Sequence, residues 1–332
     1  MNLLTGATGL VGAHLLALLI SNKDKTRALF RTQHKKQQAI SVILKYGITE
    51  EAIDEYVEWM QCDILNIPKL ENSFNGVTHV YHCAGFISNS PSDYKQMRKV
   101  NIEGTANMVN LSLHFKIEKF CHVSSIATLG KPLSSDEETT EMTPLAENQK
   151  SSAYEISKYG AEMEVWRGSQ EGIDVVIVNP GIILGDGFYD SGSGKFFSKM
   201  KKGIKIYPPK ITGFVGVFDV SKAMIQLMKS SIVNERYILV SDNLSFKTAI
   251  GIVAEKYNGT PPKIKLKPWM LYIGWFFEVI RSFLTSYKRQ ITLQVIPGLF
   301  EDAVYSSEKI EKDLGFNFET YKDYIERIYL RS

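Results

Sequence analysis

Cysteine is scarce in this 332-residue chain, with only Cys62, Cys83 and Cys121. An odd number of thiols in apolar runs, at no metal-binding spacing, excludes a disulfide framework and a zinc module. They read as buried thiols in a reducing compartment. A strong charge of either sign is missing too. The net charge is +3, and no basic run with interleaved aromatics occurs, so nothing points to nucleic acid. The first twenty-two positions carry no Asp, Glu, Lys or Arg, and 15–20 is wholly apolar. No basic residue precedes that run, and Gly6, Thr8, Gly9, Gly12 and His14 interrupt it. A signal peptide or membrane span is therefore not expected, and the chain is read as cytoplasmic. Internal repeats and low-complexity tracts are absent, and no His/Asp/Glu cluster suggests a metal.

What is present is an ordinary globular mixture, 44% hydrophobic and 23% charged, enough for a normal core. Apolar strand-like runs fall at 2–5, 26–30, 57–64, 77–83, 120–124 and 175–178. Between them lie helical patterns at 10–20, about 68–74, 92–115 and from 152 onward, with 34–55 a mixture of helix and loop. Alternating strands and helices imply βαβ crossovers. The expected fold is α/β, a doubly wound parallel sheet with helices on both faces. Beyond Gly181 the rhythm breaks. The sequence predicts Gly-, Ser- and Lys-rich loops over 185–205, a helix near 220–230, a strand at 236–240 and a mainly helical remainder from about 243.

The run Gly6-Ala7-Thr8-Gly9-Leu10-Val11-Gly12 follows a strand and opens a helix. Small residues there permit a tight bend, close backbone approach to a pyrophosphate and close helix–strand packing. The helix N-terminus then offers free N–H groups to an anion. Further on, Tyr154 and Lys158 are four residues apart, so on a helix they share a face. Ser152 and Glu155 form a capping box that starts that helix. A phenol near pH 7 is a useful proton donor only if its pKa falls by about 3 units from about 10. An adjacent cation supplies about 1–3 of them, so Lys158 is expected to lower Tyr154. Ser124-Ser125 ends the fifth strand, 29 residues before Tyr154 counted from Ser125, and a hydroxyl there can orient a substrate oxygen. Tyr305 and Lys309 repeat the spacing without an upstream serine pair and are expected on a solvated helix face. His79, His82 and His122 lie in or beside strands and read as packed residues.

The glycine turn resembles that of the extended short-chain dehydrogenase/reductase family, and further segments support the likeness. Cys62-Asp63-Ile64, His82-Cys83-Ala84-Gly85, Asn101-Ile102-Glu103-Gly104-Thr105-Ala106-Asn107 and Asn179-Pro180-Gly181 are similar to family segments in order and spacing. The resemblance implies a Rossmann-like fold and an oxidoreductase using NADP(H), with NAD(H) possible, on a small-molecule substrate. It implies Ser125, Tyr154 and Lys158 as catalytic residues, with Ser124 the rival for the serine. It also implies a cofactor set of Gly6, Thr8, Gly9, Leu10, Val11, Arg31, Asp63, Ile64, Ala84, Gly85, Asn101, Ser124, Tyr154, Lys158, Pro180 and Ile183. A cofactor domain of 1–185 with 213–242 and a substrate region of 186–212 with 243–332 follow, and a homodimer is the family habit.

Within the family, the Thr-Asp-Glu run of dehydratases is replaced by Ser125-Ile126-Ala127, and Leu129 stands where epimerases usually carry tyrosine. The segment after the sixth strand is closer to dihydroflavonol reductases and 3β-hydroxysteroid dehydrogenases. A reductase or dehydrogenase for a relatively apolar ketone or secondary alcohol is therefore expected. A nucleotide-sugar epimerase and a non-catalytic NADP-binding regulator are the alternatives. The second strand ends at Arg31 with no acid between Lys25 and Ile48. An acid there would select NAD and an arginine accommodates a 2′-phosphate, although Arg31 stacking on adenine would suit NAD. The aromatic-rich stretch 269–284 suggests a helix packed on the cofactor domain, an apolar cleft wall or a lipid-touching surface.

Overall fold

In a computed structural model, the protein is described over residues 1–88, 90–132, 134, 137–145, 151–189, 192–285 and 296–331. Parts of the polar loop around 134–149 and of the expected substrate region (190–191 and 286–295) lie outside the described residues.

Seven strands form the central sheet. They are β1 (Asn2–Thr5), β2 (Thr26–Phe30), β3 (Val57–Gln61), β4 (His79–His82), β5 (Lys119–Val123), β6 (Asp174–Pro180) and, after three short strands, β10 (Glu235–Leu239). Their spatial order is β10-β6-β5-β4-β1-β2-β3, with every pairing parallel. The crossovers carry α1 (Leu10–Ser21), α2 (Gln33–Leu44), α3 (Glu50–Tyr56), α4 (Ile67–Asn72), α5 (Tyr94–Met97), α6 (Gly104–His114), α7 (Ala153–Gln170), α8 (Gly192–Lys202) and α9 (Val217–Lys229). A π-helical turn, Arg98–Glu103, joins α5 to α6.

Strand side chains alternate between two cores. Leu4, Val176 and Val178 pack with α1 and α9 on one face, while Leu3, Val175 and Ile177 pack with Met108 and Val109 of α6 and Val165 of α7 on the other. Burial on both faces is why these strands read as continuous apolar runs. The almost wholly apolar α1 is likewise buried, against the sheet and α9. Strand order reverses beside β1, with β4 on one flank and β2 on the other, so the crevice at their C-terminal ends is the switch point where ligands bind in such sheets.

Past β6 the structure departs from expectation. Residues 192–202 are helix rather than loop, because Phe197 and Met200 of α8 bury one stripe while Lys195 and Lys199 stay outside. A small sheet also appears, built from β7 (Ile182–Leu184), β9 (Ile211–Gly216) and β11 (Asp242–Ser245), and a ribbon pairs β8 (Ile206–Tyr207) with β12 (Ile264–Lys265). Helices α10 (Phe246–Lys256), α11 (Pro268–Leu284), α12 (Glu308–Leu314) and α13 (Tyr321–Arg331) complete the chain. The third strand stops at Gln61, earlier than expected, because Asp63 Oδ1 accepts from Leu65 N at 2.9 Å and turns the backbone. Cys62 and Cys121 are buried, but Cys83 is only half-buried at the end of β4.

Candidate active site

The turn after β1 can be built only with glycine at two positions. Gly6 has φ +68°, and a Cβ there would lie 2.6 Å from Ala84 N. A Cβ on Gly12 would lie 2.1 Å from the carbonyl oxygen of Gly6. Gly9 N donates to that carbonyl at 2.9 Å and closes the bend. No side chain caps α1 and no acid sits in its first turn, so its N-terminal N–H groups and positive dipole end are left for an anion. Thr8, Leu10 and Val11 are half-buried around it. A pyrophosphate fits this cradle on geometry as well as charge.

Opposite lies the end of β4. Thr5 Oγ1 and Thr105 Oγ1 hold the two ring nitrogens of His82 at 2.7 and 2.9 Å, and Ala84 N donates to Thr5 Oγ1 at 3.2 Å. Asn101, in the π-turn, accepts from Phe86 N at 2.7 Å and donates to Phe86 O at 3.0 Å and Ser157 Oγ at 2.9 Å. Its amide therefore fixes the Phe86 backbone, just past Ala84 and Gly85, against Ser157 of α7, and these contacts engage both of its polar atoms. On the other flank Arg31 leaves the end of β2 with its side chain exposed, and its carbonyl accepts from Gln61 Nε2 at 3.0 Å. Asp63 is half-buried beside it, and Asn107 Nδ2 holds the carbonyl of Ile64 at 3.0 Å.

Helix α7 begins with the capping box read from sequence. Glu155 N donates to Ser152 Oγ at 3.2 Å, and Ser152 N donates to Glu155 Oε2 at 2.6 Å. Tyr154 therefore sits in the first turn. Burial pushes its phenol above the usual value of 10.0, a hydrogen bond with the Ser125 hydroxyl pulls it back, and the Glu155 carboxylate adds to the rise. Ser125 is half-buried and faces the phenol. Ser124 is buried and turned away, donating to Glu162 Oε2 at 2.6 Å.

Lys158 is buried, and its Nζ donates to the carbonyl of Val123 at 2.7 Å. Burial drags its ammonium down to about 8, with the Glu162 carboxylate working against that fall. The expected lowering of Tyr154 by Lys158 is thus not found here. The ammonium is engaged by a β5 carbonyl, and desolvation of the phenol dominates. Pro180 ends β6 and Ile183 lies in β7, across the mouth of the crevice.

Sequence reasoning missed Glu162. Its side chain is fully buried, one helical turn beyond Lys158. Oε2 accepts from Ser124, from Thr128 Oγ1 at 2.7 Å and from Asn179 Nδ2 at 3.1 Å, while Oε1 pairs with Arg236 Nη1 at 3.1 Å. The signal was the run of Tyr154, Lys158 and Glu162 at four-residue intervals, one helix stripe. His122 was read as a packed residue, and it is stacked on His82 with centroids 5.3 Å apart. Its two buried ring nitrogens make no hydrogen bond, and burial first, then Lys158 and His82, hold it well below the usual histidine value. Tyr305 and Lys309 do not share a helix face. Tyr305 precedes α12 and bridges to Thr139, while Lys309 pairs with Glu235.

The chain is similar to sterol demethylase protein B of Methylococcus capsulatus, 25% identical over 274 residues covering 81% of this chain and 78% of that protein. It is also similar to a putative dihydroflavonol 4-reductase of Synechocystis sp., 25% identical over 322 residues covering 94% and 88%. Among solved structures, gox2253 superposes with a TM-score of 0.80 at 25% identity, covering 100% of this chain and 98% of that one. The UDP-glucuronic acid 4-epimerase of Bacillus cereus, in complex with UDP-glucuronic acid and NAD, shares the fold with a TM-score of 0.76 at 17% identity, covering 99% and 98%. Residues 2–239, which contain the glycine turn, Ser125, Tyr154 and Lys158, match the family model, and the chain belongs to the NAD dependent epimerase/dehydratase family.

Proposed function

We propose that this protein is a cytoplasmic NADP(H)-dependent reductase or dehydrogenase acting on a relatively apolar ketone or secondary alcohol. The observation that carries the reading is the placement of Ser125, just past β5, and Tyr154, in the first turn of α7, beside one another at the C-terminal end of the sheet, in the same crevice as the uncapped start of α1. The residues of the glycine turn, Gly6, Thr8, Gly9, Leu10 and Val11, would hold the pyrophosphate, with Ala84, Gly85, Pro180 and Ile183 along the crevice and Asp63 and Ile64 near the adenine. Bound there, the nicotinamide supplies or accepts hydride. Ser125 orients the carbonyl oxygen of the substrate. Tyr154 holds the proton that this oxygen takes as it becomes a hydroxyl, and a phenol pushed up by burial is kept in its proton-bearing form. Lys158 is within reach of the same crevice, its charge supported by Glu162. The absence of a Thr-Asp-Glu run after β5 favours reduction over elimination of water, and the similarity to a protein described as a putative dihydroflavonol 4-reductase agrees with a carbonyl substrate. An exposed Arg31 at the end of β2, with no acid in the sequence between Lys25 and Ile48, favours NADP(H).

Turnover of apolar ketones with NADPH tests the proposal. Tyr154→Phe is expected to lower kcat by about 10²–10⁴-fold while cofactor still binds. More than half of wild-type activity in that variant, or efficient interconversion of nucleotide sugars by the wild type, would overturn it. A protein that binds NADPH but turns over no carbonyl would be a sensor instead.

A further inference from the structure

Helix α11 reads PWMLYIGWFFEVIRSFL, and none of its described side chains is fully buried. Trp269, Tyr272, Ile273, Phe276 and Phe277 fall at helical spacings of three and four, on one face, and are 58%, 51%, 49%, 56% and 64% exposed. Such a stripe normally faces a core. Here it forms an apolar patch larger than scattered surface residues explain. The helix is preceded by a basic ribbon. Lys263 N donates to Lys205 O at 3.0 Å, β12 pairs with β8, and Leu266 N donates to Tyr207 O at 2.9 Å. Lys205, Lys263, Lys265 and Lys267 are exposed along it, as are Ile206 and Ile264 between them. No Asp or Glu occurs in 192–210 or in 256–277.

From this pairing of an aromatic helix face with an acid-free lysine ribbon, we infer that α11 docks the protein on an anionic lipid surface. The helix has 17 residues, about 25 Å at 1.5 Å per residue, short of a hydrocarbon core of about 30 Å. No helix among the described residues is long and apolar enough to cross a membrane. The geometry is that of a helix lying in the interface, where Trp and Tyr rings sit at headgroup level and lysines meet anionic lipid. A second copy of the chain packed on this face would bring no acid from 256–277 to complement the lysines. The inference is independent of the proposed reaction, since lipid binding and turnover are measured separately.

The test is co-sedimentation of the full chain with phosphatidylcholine vesicles, with and without phosphatidylglycerol. The wild type is expected to pellet with the anionic vesicles and to release as salt is raised. Phe276→Ser with Phe277→Ser is expected to weaken binding by roughly tenfold or more. Lys263→Gln, Lys265→Gln and Lys267→Gln together are expected to weaken it by about a hundredfold on anionic vesicles only. Both variants alter exposed side chains, and the lysine variant tests the idea even if the aromatic one folds poorly. A wild type that stays in the supernatant with both vesicles overturns the inference, as does binding that both variants leave unchanged. A solution dimer that the Phe variant splits, without vesicle binding, would assign the face to a second copy instead.

Discussion

Ser124 and Ser125 are adjacent and chemically identical, yet the structure gives them opposite duties, and alanine at each position separates them. Ser125→Ala removes the hydroxyl beside the Tyr154 phenol that draws its pKa down. Loss of one donor aimed at a reacting oxygen typically lowers kcat by about 10²–10³-fold. The Ser125 bond holds the phenol down, so its removal lets the pKa rise. In the alcohol-oxidation direction, which needs the phenolate, the rising limb of the pH–rate profile should therefore move to higher pH. Stability should fall little, by about 1 kcal/mol, since the other lost bond is a turn cap to Ala127 N at 3.2 Å. Ser124→Ala should do the reverse. It deletes a 2.6 Å donor to the buried Glu162 carboxylate, and a bond to a charged group is worth about 1.5–3 kcal/mol. The melting temperature should drop by roughly 2–6 °C, with kcat kept within about threefold. Nicotinamide absorbance kinetics and a thermal melt on both variants decide the matter. If Ser124→Ala costs more turnover than Ser125→Ala, or if the pH limb of Ser125→Ala moves down, the geometric reasoning fails.

Glu162→Gln breaks a buried pair with Arg236 and should destabilise by about 3–5 kcal/mol. It also removes the charge that props up Lys158, so the pH dependence set by that ammonium should move below about 8, with partial rescue by Glu162→Asp; an unchanged melt and profile would refute both roles. Arg31→Ala should raise the KM for NADPH by about ten- to a hundredfold through loss of a charge-assisted bond, and leave that for NADH within a few-fold; equal losses for both cofactors would point to adenine stacking instead. Burial lowers His14 to about 4 and His82 to about 3, and holds His122 well below 6.5. The unfolded chain therefore binds protons from about pH 6.5 downward that the folded chain refuses. This contribution is fully present above that pH and is lost on acidification at roughly 1.4 kcal/mol per pH unit for each histidine. Denaturant titrations at pH 7.5 and 5 should show the loss, and equal stability at both would refute it.

The sequence by itself determined the parallel sheet, the glycine turn and the start of α7, because each is written in local spacing. Strands buried on both faces are continuous apolar runs, Gly12 answers to contacts within its own turn (Gly6 answers also to Cys83 and Ala84 at the end of β4), and the capping box of Ser152 and Glu155 is a three-residue relation. Four-residue spacing likewise placed Tyr154 and Lys158 on one stripe. Where neighbours are distant in sequence, local reading stopped. The Gly- and Ser-rich 185–205 stretch hid α8, whose Phe197 and Met200 are buried where α8 packs against α10 and β7. The strands β7, β9 and β11 form a sheet that exists only through their mutual pairing, between segments distant in sequence. Adjacent residues of an extended backbone point to opposite sides, so Ser124 and Ser125, just past β5, face different neighbours, and which one meets the phenol depends on how α7 lies across the end of β5. The same packing gives Lys158 the Val123 carbonyl, raises the phenol that Lys158 was expected to lower, and seals the Glu162 carboxylate among five donors, Trp166 Nε1 included. Spacing fixes which side chains share a face; only the tertiary structure fixes what that face meets and how much water is left there, and desolvation is what sets the charges of this site.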